Sequence, residues 1–179
     1  MNLPNKLTML RIVLVTVFVV CFYLPINGAM YIAAAVFVIA YFTDLLDGHI
    51  ARKRGLITDF GKLMDPMADK LLTAAAMIML TAYGLCSPIA TFVTIGRELV
   101  ISAFRLVSAT QGVVIAAGKI GKLKTLTQFI AIVLILLGNP LFNQIGVPLD
   151  QIMIWISVVL AVWSCTDYIV KNLKALHFN

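Results

Sequence analysis

Charge is scarce in this chain: only 12% of the residues are Asp, Glu, Lys or Arg, against 61% apolar, and the mean hydropathy is +1.01. A water-facing surface needs far more charge than that, so an ordinary soluble domain is excluded and the solvent for most of the chain must be lipid. Histidine and cysteine are equally thin, at two and three residues. Cys21, Cys86 and Cys165 stand far apart in or beside apolar stretches, with no CxxC and no nearby histidine pair. That argues against a disulfide framework and a zinc site and leaves them as small packing residues. Internal repeats, low-complexity tracts and lipidation motifs are missing. So is a basic leader with a small-residue cleavage site: Met1 is followed by Asn2, Leu3 and Pro4, and the first apolar run reads as a retained span. The net charge of +6 could point to nucleic acid, but its distribution points to a membrane surface, and no nucleic-acid partner is expected.

What the chain has instead is long apolar runs. A bilayer core about 30 Å thick takes about 20 helical residues. Such stretches run roughly from Leu7 to Leu24, Ala29 to Ile50, Pro66 to Tyr83, Pro88 to Ser108, Leu123 to Leu137 and Gln151 to Val170. Gly, Pro and Asn clusters between several of them mark chain reversals. The expected fold is all-α: a polytopic membrane protein, one domain over residues 1–179, built as a six-transmembrane-helix bundle. With alternating spans, Lys6, Arg52, Lys53, Arg54, Lys62, Lys119, Lys122, Lys171 and Lys174 share one side, with Lys70 and Lys124 just inside neighbouring helix ends. The opposite loops contain no Lys or Arg. The positive-inside rule makes the basic side cytoplasmic, both termini with it, and fits a multi-pass protein of the cell inner membrane.

Ionisable groups at membrane depth are costly unless paired, hydrated or metal-bound, so they are functional candidates. Here they cluster. Of the eight acidic residues, Asp44 and Asp47 fall at the cytoplasmic end of the second span and Asp65 and Asp69 at that of the third. Spacings of three and four put each pair on one helical face, where the carboxylates can converge. Bare, they would repel one another; hard oxygen donors without histidine or thiolate select Mg²⁺ or Mn²⁺, which binds carboxylates together with substrate phosphates. Gly48 and Gly61 lie four residues from Asp44 and Asp65 on the same faces, each at a cost of about 1 kcal/mol in a helix. Close approach of a ligand to backbone would compensate. Arg52, one turn further, can grip a diphosphate bidentately. Any one Asp alone also fits a helix cap or a solvated charge; the joint phase of the acids, glycines and arginine describes a metal-bridged pyrophosphate site.

Written out, the pattern is Asp44-x2-Asp47-Gly48-x2-Ala51-Arg52-x8-Gly61-x3-Asp65-x3-Asp69. It resembles the complete signature of the CDP-alcohol phosphotransferases, with every fixed position filled at the family spacing. The opening Asn2 to Ile12, the run Gly96-Arg97-Glu98-Leu99-Val100, Arg105 and Gly121-Lys122-Leu123-Lys124-Thr125 are similar to the bacterial branch of that family that joins CDP-diacylglycerol to glycerol 3-phosphate. The resemblance implies the six-span fold, phosphatidylglycerol phosphate and CMP as products, and an active site facing the cytoplasm. It further implies that Asp44, Asp47 and Asp65 ligate two metal ions and that Asp69 is the base and also a metal ligand. Gly48, Ala51, Arg52 and Gly61 would line the CDP site. A homodimer is among the assemblies it implies.

The remaining charges are then assigned by position. Arg97 and Arg105 stand eight apart on the fourth span, near one face, and Lys122 begins the fifth at the cytoplasmic level. With Lys124 as a weaker member they form the expected glycerol phosphate pocket. The alternatives are pairing of Arg97 with Glu98, although adjacent helical residues point apart, and anchoring of Lys122 and Lys124 to anionic lipid. Asn5, Thr8 and Arg11 are expected to reach the cytidine or its phosphates, against capping for Asn5 and snorkelling for Arg11. His49 is read as a bystander, and Trp155, Trp163 and Tyr168 as packing or an interfacial belt. Rival functions are the same chemistry on serine, inositol phosphate or a lipid phosphate, and a transporter, whose repeated halves and broken helices are not visible.

Overall fold

The computed structural model describes residues 3–54, 59–111, 118–140, 142 and 146–172; the side chains of 3–6, 45–54, 59–66, 69, 110 and 119 lie outside that description. Six helices follow one another: α1 Leu3–Cys21, α2 Ala29–Arg54, α3 Asp59–Ala82, α4 Pro88–Thr110, α5 Lys119–Leu136 and α6 Leu149–Asn172. Among the described residues there is no strand, as expected. Each helix contains most of the apolar run from which it was expected, but several continue past it. α2 runs on to Arg54, and α3 starts at Asp59 instead of Pro66. The reason is that hydropathy marks where a chain meets apolar solvent, whereas a helix satisfies its own backbone and can continue into polar sequence. Pro66 is accommodated inside α3 at the loss of one backbone hydrogen bond.

Local sequence explains the helix ends. Ser87 is extended (φ −65°, ψ 133°) with Pro88 in the first helical positions of α4, a pre-set start that leaves no N–H unsatisfied there. Gly84 takes φ +70° just after α3, a left-handed turn that a side chain would oppose. Asn139 also sits at positive φ (53°), sends its N–H to the Leu134 carbonyl at 2.9 Å and its Nδ2 to the Val147 carbonyl at 2.9 Å, closing the end of α5.

The chain divides into two compact units, Met1–Gly84 with Leu136–Gly138, and Leu85–Ile135 with Asn139–Asn179. In the first, α1 packs on both α2 and α3. Its buried face repeats at spacings of three and four, Thr8, Arg11, Val15 and Phe18, followed by Phe22 just past its end; Ala33, Ala34, Phe37 and Ala40 of α2 and Ala68, Leu72 and Ala76 of α3 are buried as well. The alanines let the helices come close, and Phe18 fills the middle against Phe22 (5.2 Å between ring centroids) and Phe37 (5.8 Å). Tyr83 donates its hydroxyl to the Phe22 carbonyl. In the second unit α4 packs on α6, whose buried stripe is Ile154, Ser157, Val158, Ala161, Ser164 and Tyr168.

Large apolar side chains also line the outside: Phe92, Leu99, Leu106, Val159, Trp163 and Val170 are all at least 60% exposed. Among the described residues, α6 is long and apolar enough to cross a membrane, and shorter apolar stretches run Leu7–Cys21, Ala29–Asp44 and Lys70–Ala82. Cys21 and Cys86 are buried and Cys165 partly so, without disulfides, which agrees with a packing role.

Candidate active site

The first unit places the acid motif on two uninterrupted helices. α2 carries Asp44, Asp47, Gly48, Ala51 and Arg52, and α3 carries Gly61, Asp65 and Asp69, so the three- and four-residue spacings are helical ones. Of these, Asp44 has a described side chain; those of Asp47, Gly48, Ala51, Arg52, Gly61, Asp65 and Asp69 lie outside the described residues, as does that of Asn5 on α1.

Asp44 receives Arg11. The guanidinium Nη1 lies 2.5 Å from Oδ1, with the arginine side chain fully buried and the aspartate 29% exposed. Arg11 occupies a position of the buried α1 stripe where an apolar residue would ordinarily stand, so it does not snorkel outward. A charge placed there requires an opposite one, because desolvation of an uncompensated ion costs several kcal/mol. Thr8, one turn earlier on the same stripe, is fully buried as well. Arg11 therefore braces the first carboxylate of the motif.

The donor set suits a hard divalent cation. Asp44, Asp47, Asp65 and Asp69 offer oxygen donors only, without histidine or thiolate. Asp44 keeps part of its carboxylate accessible while Arg11 holds its orientation, as partners behind a metal ligand do. Among the described residues there is no group of three metal-ligating side chains, since the other carboxylates of the motif fall outside them.

The second unit gathers cations. Arg97 Nη1 donates to Glu98 Oε1 at 3.0 Å and Nη2 to Ser164 Oγ of α6 at 3.0 Å. Lys124 of α5, only 1% exposed, donates to the same Glu98 Oε1 at 2.7 Å. Gly121 leaves room for this arrangement: a Cβ there would lie 3.2 Å from Arg97 Nη2. Two turns along α4, Arg105 rests over the ring of Tyr168 at 5.6 Å, with Nε 3.4 Å from the phenol oxygen, and Phe104 meets the same ring edge-on at 5.7 Å. Arg97 Nε, Thr94 Oγ1 and Gln128 Nε2 are buried with no hydrogen-bond partner among the described residues.

Three features differ from the favoured expectation. The alternative of Arg97 pairing with its helix neighbour Glu98 is realised, at 3.0 Å. Lys122 stands on the exposed face of α5, while Lys124, the weaker candidate by position, is the buried and ion-paired lysine. Ser164 and Tyr168, four apart on α6, meet Arg97 and Arg105; Tyr168 was expected only as packing or belt, and two hydroxyls at helical spacing were the available signal.

A metal-selecting carboxylate motif on paired helices, with a separate cluster of arginine and lysine, is the equipment of an enzyme that moves phosphorylated groups. The CDP-alcohol phosphatidyltransferase family matches residues 1–163, and the chain belongs to that family and is a phosphatidyltransferase. Among similar proteins, the CDP-diacylglycerol–glycerol-3-phosphate 3-phosphatidyltransferase of Bacillus subtilis is 39% identical, covering 98% of this chain and 97% of its own. The protein of the same name from Pseudomonas fluorescens is 38% identical over 94% and 89%, and that from Rickettsia typhi 36% over 93% and 94%. The fold is similar to the crystal structure of the Mycobacterium tuberculosis phosphatidylinositol phosphate synthase in apo form, with a TM-score of 0.70 at 19% identity, covering 96% of this chain and 90% of that one.

Proposed function

We propose that the protein transfers the phosphatidyl group of CDP-diacylglycerol to glycerol 3-phosphate, giving phosphatidylglycerol phosphate and CMP. Similarity to enzymes of that name over nearly the whole chain supports the reaction. The observation that carries the acceptor is the cluster in the second unit. Arg97 and Lys124 share one carboxylate, so a net positive charge remains for an acceptor that brings a phosphate.

The chemistry is an exchange of phosphoesters. The free primary hydroxyl oxygen of glycerol 3-phosphate forms a bond to the phosphorus bearing diacylglycerol, the anhydride bond to CMP breaks, and Asp69 takes the hydroxyl proton. Asp44, Asp47, Asp65 and Asp69 would hold two Mg²⁺ or Mn²⁺ ions, which when bound neutralise the diphosphate and stabilise the departing CMP. Arg52 pairs with the diphosphate, and Gly48, Ala51 and Gly61 leave space for it. On the nucleotide side Asn5 makes contact, while the fully buried Thr8 and Arg11 act from behind, Arg11 through Asp44. Arg97, Arg105 and Lys124 hold the acceptor's phosphate, with the exposed Lys122 a minor member.

The setting is a multi-pass membrane protein, one domain of six spans with both termini cytoplasmic, in the cell inner membrane, the site opening to the cytoplasm. The apolar exterior and the one-sided placement of Lys and Arg support it. Acyl chains then stay in lipid while CDP and glycerol 3-phosphate meet from water.

The test is release of labelled CMP and formation of lipid product by detergent-solubilised protein, with glycerol 3-phosphate, serine or inositol phosphate as acceptor, before and after chelation. Product is expected with glycerol 3-phosphate and Mg²⁺ or Mn²⁺ alone. Equal turnover with serine, or turnover undiminished by chelator, would overturn the proposal.

A further inference from the structure

An anion-binding site has no evident use for a carboxylate, since a like charge lowers affinity. Yet Glu98 sits at the centre of the cation cluster, and one of its oxygens, Oε1, accepts from both Arg97 Nη1 at 3.0 Å and Lys124 Nζ at 2.7 Å. Without it, a nearly buried lysine and a mostly buried guanidinium, 1% and 12% exposed, would repel one another in a poorly solvated place. Sharing one oxygen brings the two cations close enough to meet neighbouring oxygens of a single phosphate.

The guanidinium is fixed on its other side too. Ser164 takes Nη2, and the missing side chain of Gly121 admits that nitrogen. Both terminal nitrogens of Arg97 are thereby engaged by protein, and Nε is buried with no partner among the described residues. A buried donor with no partner among the described residues leaves a place for an acceptor atom from a ligand.

We propose that Glu98 is a positioning residue for the acceptor: it clamps Arg97 and Lys124 together so that Arg97 Nε and the lysine receive a phosphate monoester dianion. The inference rests on the acceptor pocket proposed above and adds the group that sets its geometry. Glu98 itself does not touch the phosphate. The charge of +2 on Arg97 and Lys124 is thereby reduced to +1 over the three groups before the acceptor arrives, so the cluster is stable when empty and still attracts a dianion.

The experiment measures both KM values and kcat in detergent for Glu98→Gln, Glu98→Asp, Arg97→Ala and the double variant Glu98→Gln with Arg97→Ala. Glu98→Gln is expected to raise the KM for glycerol 3-phosphate by about 10-fold, as loss of an orienting partner does, with the KM for CDP-diacylglycerol unchanged. Glu98→Asp is expected to recover part of that loss, and the double variant to be little worse than Arg97→Ala. A Glu98→Gln enzyme with the parental acceptor KM, beside an Arg97→Ala enzyme whose KM has risen, would overturn the clamp and leave the acceptor pocket standing. An unchanged acceptor KM in Arg97→Ala would overturn the pocket itself. Equal rises in both KM values for Glu98→Gln would show a merely structural role and also overturn the clamp. Should Glu98→Gln not fold, the aspartate variant decides: its acceptor KM alone must rise.

Discussion

The two units handle charge in opposite ways. In the first, the motif is a group of acids, and its described member Asp44 is held by one buried cation, Arg11. In the second, the cluster is a group of cations, and Arg97 and Lys124 are held by one acid, Glu98. Among the described residues, each site shows an ion pair that holds members of the surplus sign in place. On the proposed function the surplus sign matches the ligand: the carboxylates would take a divalent cation and through it a diphosphate, while guanidinium and ammonium would take a phosphate directly. Counting total charge would miss this, because the opposite charge beside each described member sets its geometry.

The sharpest way to break the comparison is to remove a surplus charge on the acid side. Asp65→Asn is expected to lower turnover by more than about 100-fold, beyond what loss of an orienting partner costs, with membrane insertion retained in fractionation. Normal activity would remove that residue from the metal site. Next in size is removal of the counter-charge in the first unit. Arg11→Met is expected to destabilise the protein by about 2 kcal/mol, below the full cost of breaking a buried pair because Asp44 is partly exposed. Thermal unfolding in detergent measures it, and adding Asp44→Asn should restore stability but not activity.

The cation side can be sharpened by comparing its lysines. Lys124→Ala is expected to raise the glycerol 3-phosphate KM by about 10-fold, the loss of about one charge-assisted hydrogen bond, and Lys122→Ala by less than about twofold, as suits an exposed charge. Equal effects would mean that burial and pairing with Glu98 do not matter. The smallest effect belongs to the amide nitrogen of Gln128, buried with no partner among the described residues. Gln128→Leu is expected to leave both KM values unchanged and to raise stability by about 1 kcal/mol, since a buried donor without a partner is costly. A lowered unfolding temperature would show that the amide is satisfied in the membrane.

Much of this was legible in the chain before any coordinates. Helices and reversals follow from apolar runs long enough to span a bilayer, punctuated by Gly and Pro. The acid motif was legible because its members are close in sequence and helical phase alone aligns them. The cation cluster was only half legible. Arg97 and Lys124 stand out as charges in apolar helices, but that they meet on Glu98 depends on how α4 and α5 lie together, which no local pattern encodes. The ranking of Lys122 above Lys124 rested on depth, whereas their burial depends on which face of α5 turns inward. The early start of α3 was missed for a different reason: Pro66 reads as a helix boundary, yet its cost is one hydrogen bond and the polar residues before it continue the helix.

The division of labour is tested most directly by a two-substrate titration of Arg52→Ala and Arg97→Ala. The first should raise the KM for CDP-diacylglycerol alone and the second the KM for glycerol 3-phosphate alone. If Arg97→Ala instead weakens the lipid nucleotide and leaves the acceptor unaffected, the assignment of donor to the acid side and acceptor to the cation side is wrong.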